Sequence, residues 1–283
     1  MHRNQYFLLS AAILLFAGLY FFGNTKGEKK TKEPTQSAGH ESPPMAGPMS
    51  NIEPINMDTF IQKATSSLTE TENSKFNSLQ ELASKEPSAI HFKDLAEFWE
   101  AKKQITIAAN YYKKAAFLEN TEKSITFAGN LLMAVMQKTE EPAVKKWQSL
   151  EAIECFNKAL ELNGENTDTK VALATCYTEG TGETMKGVTL LREVTQKDSN
   201  NVPANLLLGK LAIQSGQLDK AIRRLELVLT IQPKNTEAMY FLAEAYKNKG
   251  DKPKAISLLE NCKRIVNSPE FSKEIDQYIN SFK

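Results

Sequence analysis

Residues 205–233, NLLLGKLAIQSGQLDKAIRRLELVLTIQP, constrain the fold more than any other stretch of the chain. Two short amphipathic helices are legible there, broken at Ser215-Gly216 and closed by Pro233, residue types that end helices through backbone freedom or a missing N–H. Counting from Val202, Leu208 and Gly209 stand at the seventh and eighth places, Gly216 at the fifteenth, Ala221 at the twentieth, Leu225 at the twenty-fourth and Val228 at the twenty-seventh. The next 34 residues repeat the arrangement: from Thr236, Leu242 and Ala243 take the seventh and eighth places, Gly250 the fifteenth, and Ala255, Leu259 and Cys262 those of the second helix. Such a pair of helices cannot bury its apolar stripe alone, so units must stack and share one continuous core.

The pattern resembles the tetratricopeptide repeat, a helix–turn–helix unit of about 34 residues with small residues where its helices cross and a proline at its exit. The resemblance implies an all-α solenoid, a right-handed superhelix whose first helices line a concave groove.

Reading outward gives further units near 89–121, 122–166 and 167–200, beside those at 202–235 and 236–267. Leu95, Ala96, Trp99 and Tyr112 are expected in the core of the first of these. Residues 56–88 form a degenerate helix pair, and 268–283 make a capping helix with Phe271, Ile275, Tyr278 and Ile279 on one face. The unit at 122–166 carries extra residues around TEEPAVKKWQSL, where Thr139 suits a cap and Pro142 a first helical turn. An elongated hairpin is expected, with Trp147 either packed on a lengthened first helix or exposed as an anchor for a partner. In the turn GTGETMKG, one residue longer than the pattern, the glycines lack the preceding strand and the Gly-Lys-Ser/Thr ending that phosphate cradling needs.

Residues 6–22, YFLLSAAILLFAGLYFF, are 17 residues without a charge, at the short end of what crosses a hydrocarbon core of about 30 Å. The run ends in bulky aromatics where a signal peptidase needs small side chains. Residues 1–23 are therefore expected to be an uncleaved transmembrane signal anchor, and 24–55, rich in Lys, Pro, Ser and Thr, a disordered linker. Orientation is argued both ways. Lys26, Lys29, Lys30 and Lys32 after the run favour a cytoplasmic C-terminal side, whereas a short leading tail with one Arg is the usual start of a bacterial anchor that exports the remainder of its chain. The expectation adopted is a single-pass inner-membrane protein with periplasmic repeats.

Net charge is +1, from 35 basic and 34 acidic residues, so no global field points to nucleic acid. His2, His40 and His91 form no ligand pair, and Cys155, Cys176 and Cys262 are spaced neither as a disulfide framework nor as a metal site. There is no HExxH, GxSxG or phosphate-loop signature. No enzymatic activity, cofactor or metal is expected.

What the resemblance implies instead is binding. In the family, the second, fifth, ninth, twelfth and thirteenth places of each unit tend to face the groove. Here they include Lys93, Glu97, Asn130, Thr175, Leu206, Lys210, Ile213, Tyr240, Glu244 and Lys247. Chaperone-binding members clamp a C-terminal carboxylate with Lys at the fifth place and Asn at the ninth; Lys93 matches, but Glu97 stands where Asn is needed, so that clamp is absent. The expected function is a membrane-anchored scaffold that binds a protein or peptide partner, in envelope or cytochrome c maturation assembly by likeness of architecture. Two other readings are a cytosol-facing targeting or import receptor, and a self-association module giving a homo-oligomer through Trp147.

Overall fold

The structure, a computed structural model, describes residues 51–283; the expected anchor and all but the last five residues of the expected linker lie outside the described residues. Among the described residues there are thirteen α-helices and no strand. In chain order they are α1 (Met57–Thr65), α2 (Glu70–Lys85), α3 (Ala89–Ala101), α4 (Ile105–Glu119), α5 (Glu122–Met136), α6 (Pro142–Leu162), α7 (Thr167–Thr175), α8 (Thr184–Lys197), α9 (Val202–Gln214), α10 (Leu218–Ile231), α11 (Thr236–Lys249), α12 (Lys252–Val266) and α13 (Pro269–Asn280). A π-helical turn, Cys176–Thr181, continues α7. None of these helices is long and apolar enough to cross a membrane.

Local chemistry sets where the helices start. Asn56, Thr69, Ser88, Thr121, Asn166, Asn201, Asn235, Asp251 and Ser268 each accept a backbone N–H from the first turn of the next helix. Thr69 and Glu72 do so reciprocally, as a capping box. Pro142, Pro203, Pro253 and Pro269 sit in first turns, where a missing N–H costs nothing.

Consecutive helices pack as pairs from α3/α4 through α11/α12, α13 covers the last, and α1 and α2 join the core of α3 and α4 through Ile61, Phe76 and Ala83. Within a pair the crossing is closest where the eighth place is small. A Cβ built on Gly129 would lie 2.7 Å from a ring carbon of Phe156, and one on Gly209 would lie 2.8 Å from Cγ of Leu225. Ala96, Ala174 and Ala243 hold the same place in the other units and are buried. Trp99 is fully buried and meets Phe76 of α2 edge-on at 5.1 Å, which joins the degenerate first pair to the second. Tyr112, expected in that core, lies at its rim with its hydroxyl donating to Glu100 at 2.8 Å; the neighbouring Tyr111 is the buried one.

The unit at 122–166 departs from expectation in a specific way. The added residues lengthen its second helix, not its first: α5 ends at Met136, while α6 runs for 21 residues from Pro142. Thr139 does not cap α6; its hydroxyl donates back to the Val135 carbonyl at the end of α5, 3.0 Å away. Trp147, on the added turns, is buried at 6% exposure. The π-helical turn packs against these same turns, where a Cβ on Gly180 would fall 2.0 Å from Oγ of Ser149. A longer α6 and a bulged α7 are thus two halves of one contact. Ile55 and Met57 pack on the same core, and the Ile55 N–H donates to the Ala143 carbonyl at 3.4 Å. The residues leading into α1 therefore lie over the start of α6.

Three first helices end in one turn. Gly216 and Gly250 adopt φ of 71° and 91°, and the residue after each donates back to the helix, Gln217 to Ala212 at 2.8 Å and Asp251 to Tyr246 at 2.9 Å. At the corresponding place after α3 stands Lys103, at φ 60°, with Gln104 donating to Trp99 at 2.9 Å. A side chain in this left-handed region costs about 1–2 kcal/mol, from which a glycine's greater freedom in the unfolded chain subtracts part. Lys103→Gly should therefore raise stability by about 0.5–1 kcal/mol, seen as a higher urea midpoint with an unchanged slope.

Candidate functional site

The expected groove residues lie on the first helices α3, α5, α7, α9 and α11, and the structure brings some of them together and leaves others apart. Lys93 is exposed and pairs with Glu119 of its own helix pair. Glu97 and Asn130 are exposed on α3 and α5. Thr175 is half-buried and its hydroxyl donates to Val171 within α7, at 3.1 Å. Leu206 and Ile213 are half-buried against the core shared by α10 and α11, so each presents only part of its surface.

Lys210 is where the face becomes organised. Its ammonium lies 3.3 Å from Glu179 of the π-helical turn and 3.5 Å from Glu237 of α11, and 5.1 Å from the centre of the Phe241 ring. Glu179 also accepts from the Gln137 amide, just beyond α5, at 3.4 Å. One polar chain, Gln137–Glu179–Lys210–Glu237, therefore crosses four consecutive first helices. Burial alone pushes the Lys210 pKa down, but its two carboxylate neighbours more than offset this and hold it above the ordinary lysine value.

At the far end α13 supplies the neighbour that another repeat would have provided. Tyr240 stacks on Tyr278 at 5.8 Å, and Tyr278 meets Phe282 edge-on at 5.4 Å. Lys247 donates to the Tyr278 hydroxyl at 2.7 Å and lies 4.8 Å from the centre of that ring. Glu244, half-buried, has its carboxyl pKa raised by burial, an effect that Lys247 partly relieves. An aromatic cluster with one cation and one partly desolvated carboxylate thus closes this end of the face.

Glu179, Glu237, Tyr278 and Phe282 were not among the expected site residues. Glu237 stands at the second place of its unit and Glu179 at the thirteenth, so the same counting reaches both; nothing in the repeat pattern points to the two aromatics of the cap. Trp147 does not join this face: the added turns of α6 bury its indole in the core that α5, α6 and α7 share. Cys155, Cys176 and Cys262 are buried too, which raises each thiol pKa to about 12 and keeps all three protonated and unreactive at neutral pH. Among the described residues no group of three His, Cys, Asp or Glu is placed to hold a metal ion.

Because Lys210 titrates above its unfolded value, its contribution to stability is complete below about pH 10.4 and is lost as pH rises through the folded pKa. Replacing it leaves two carboxylates facing one another, each about a third exposed, at a cost of about 1–2 kcal/mol. Lys210→Met, which keeps the stem over Phe241, should lose that stability at pH 7 in urea denaturation and show a shallower decline than wild type above about pH 10.4.

Two overlapping stretches, residues 186–230 and 212–265, match the tetratricopeptide repeat family model and together run from α8 to α12. No curated protein matches the chain. Solved structures with a similar course of helices include the 41-end form of MamA from Desulfovibrio magneticus RS-1, 16% identical over 64% of this chain and 96% of that one, TM-score 0.49. A tetratricopeptide repeat protein from Parabacteroides merdae ATCC 43184 is 15% identical over 80% of this chain and 90% of its own, TM-score 0.49. YrrB, a TPR protein with an unusual peptide-binding site, is 22% identical over 71% of this chain and 97% of its own, TM-score 0.44. The matched residues, 186–265, include Lys210, Glu237 and Tyr240 of this face, while Gln137, Glu179, Tyr278 and Phe282 lie outside them.

Proposed function

We propose that this protein is a non-catalytic scaffold that binds a protein or peptide partner along the face of its first helices. The observation that carries the reading is the continuity of that face. The chain Gln137–Glu179–Lys210–Glu237 fixes four first helices in one register, and half-buried Leu206, Ile213 and Tyr240 flank it with apolar surface. An extended peptide or a helix laid along such a face meets backbone-spaced polar groups and apolar pockets in alternation. Partly buried aromatics are the usual anchors of such contacts. Tyr240→Ala combined with Leu206→Ala should abolish capture of a partner that wild type retains, while Met185→Ser, an exposed change on the second helix α8, should leave it intact. Capture that survives the double change, in a protein whose helicity is preserved, sinks the reading.

We further propose that residues 1–23 anchor the scaffold in a membrane with its repeats on the periplasmic side. Support comes from the uncharged run 6–22, its aromatic ends and the proline-rich stretch after it. The lysines at 26, 29, 30 and 32 favour the opposite topology, that of a targeting receptor in the cytosol. A reporter fused after Lys283 that is active only outside the cytoplasm should fluoresce or turn over substrate in membrane fractions. Activity of a reporter that works only inside the cytoplasm reverses the assignment.

A further inference from the structure

Lysine supplies 30 of the 35 basic residues of this chain, and arginine five: Arg3, Arg192, Arg223, Arg224 and Arg264. Three of the five converge on one place. Thr195 and Ser199, at and just after the end of α8, join Asn205 of α9 and Lys220, Arg223, Arg224 and Leu227 of α10 in lining an open cavity of about 410 Å³. Arg192 stands one turn before Thr195 on α8, close enough to lower the Arg224 pKa, to which burial contributes first and Arg223 last. The cavity lies between the second helices of consecutive pairs, away from the Lys210 face.

The composition of its walls is unusual for this molecule. Every ion pair among the described residues is made by a lysine, and none involves Arg192, Arg223, Arg224 or Lys220. The nearby carboxylates are paired first elsewhere: Asp219 with Lys249 at 2.6 Å, with Arg223 only the weakest of its attractions, and Asp198 with the Asn200 N–H, which it accepts at 3.0 Å. One guanidinium is held in place from behind. Asn205, 2% exposed, donates to the carbonyls of Ser199 and Asn201 at 2.8 and 2.9 Å, and its remaining oxygen accepts from Nη1 of Arg224 at 2.7 Å. That uses one donor of the fork and leaves the others for a ligand. Four cations without a paired carboxylate repel one another, which a chain of net charge +1 has no general reason to arrange.

We propose that this cavity is an anion site for a phosphate group, held by the Arg223 and Arg224 guanidiniums and the Lys220 ammonium, with the Thr195 and Ser199 hydroxyls within the same walls. Arginine fits the role because its planar fork meets two oxygens of one phosphate at once, which a lysine cannot do. The site is independent of the groove and binds whether or not the groove is occupied.

With only five arginines, selective ¹⁵N labelling of the full-length chain gives a side-chain Nε–Hε spectrum simple enough to read directly. Phosphate replaces chloride at constant ionic strength. The Arg223 and Arg224 signals should shift saturably, while Arg264, which faces Asn261, should not. Arg223→Gln and Lys220→Gln, the latter giving up only an exposed bond to Gln217 at 2.6 Å, should each weaken binding by about tenfold, with helicity and Tm unchanged. Arg224→Lys keeps the charge, loses the fork, and should also weaken it. Two probes separate the sources of the phosphate: glycerol phosphate, a dianionic monoester, and glycerophosphoglycerol, a monoanionic diester with the chemistry of a lipid headgroup. Saturable binding of either supports the site and names its class. The proposal is overturned if neither probe shifts Arg223 and Arg224, if Arg264 moves in parallel with them, or if Arg223→Gln binds as wild type does.

Discussion

The close crossing of paired helices is the constraint on which everything else in this molecule depends. Where Gly129 meets Phe156 and Gly209 meets Leu225, the absent Cβ is what lets a large side chain reach the facing backbone. Interiors pack at crystal-like density, so a methyl group added there has to be absorbed by moving a whole helix. Gly187 supplies the same relief from the second helix, where a Cβ would lie 2.8 Å from the Ala174 carbonyl. Crossings this close keep each pair compact, and successive first helices bring Glu179, Lys210 and Glu237 within reach of one another.

The same constraint explains how the array tolerates its irregular unit. Lengthening α6 buries Val144, Trp147, Gln148 and Ser149, which would leave a gap beside a regular α7. A π-helical turn widens α7 locally and brings Gly180 against Ser149, closing that gap at the expense of regular hydrogen bonding. The turn also carries Glu179 to the Lys210 side of the array. An insertion on one helix and a bulge on the next are compensating changes, and the polar chain on the first-helix face rests on both.

Much of this was legible in the sequence because packing repeats. The small eighth place, the left-handed fifteenth place and the apolar stripes of α9 to α12 recur at a fixed interval, and periodicity is the strongest signal a single chain offers. What was not legible is whatever depends on two units at once. Pro142 opens α6 and so assigns the residues around Trp147 to it, but their own stripe does not show that a π-helical turn of α7 receives them. Tyr111 and Tyr112 are adjacent aromatics, and it is Tyr111 that faces inward, its ring stacked on Phe92 of α3 at 6.4 Å, which the stripe of α4 alone does not show. Counting along the repeat singles out Lys210, but not that carboxylates of two other units, Glu179 and Glu237, stand on either side of it. The cap aromatics Tyr278 and Phe282 escaped because a terminal helix has no successor whose pattern would reveal its function.

The two faces of the array therefore differ in what they ask of a partner. On the first-helix face the central charge is already satisfied. A partner that wants Lys210 has to displace Glu179 or Glu237, and exchanging one ion pair for another in a half-buried setting returns little net free energy. Affinity along that face must come from covering Leu206, Ile213 and the Tyr240 cluster, with the polar chain setting register and rejecting misplaced charge. On the second-helix side the balance is reversed, because Arg223 and Arg224 carry charge with no internal carboxylate to displace. A ligand there displaces no ion pair, only the bond from Lys220 to Gln217 at 2.6 Å, so a small anion can be held largely by charge.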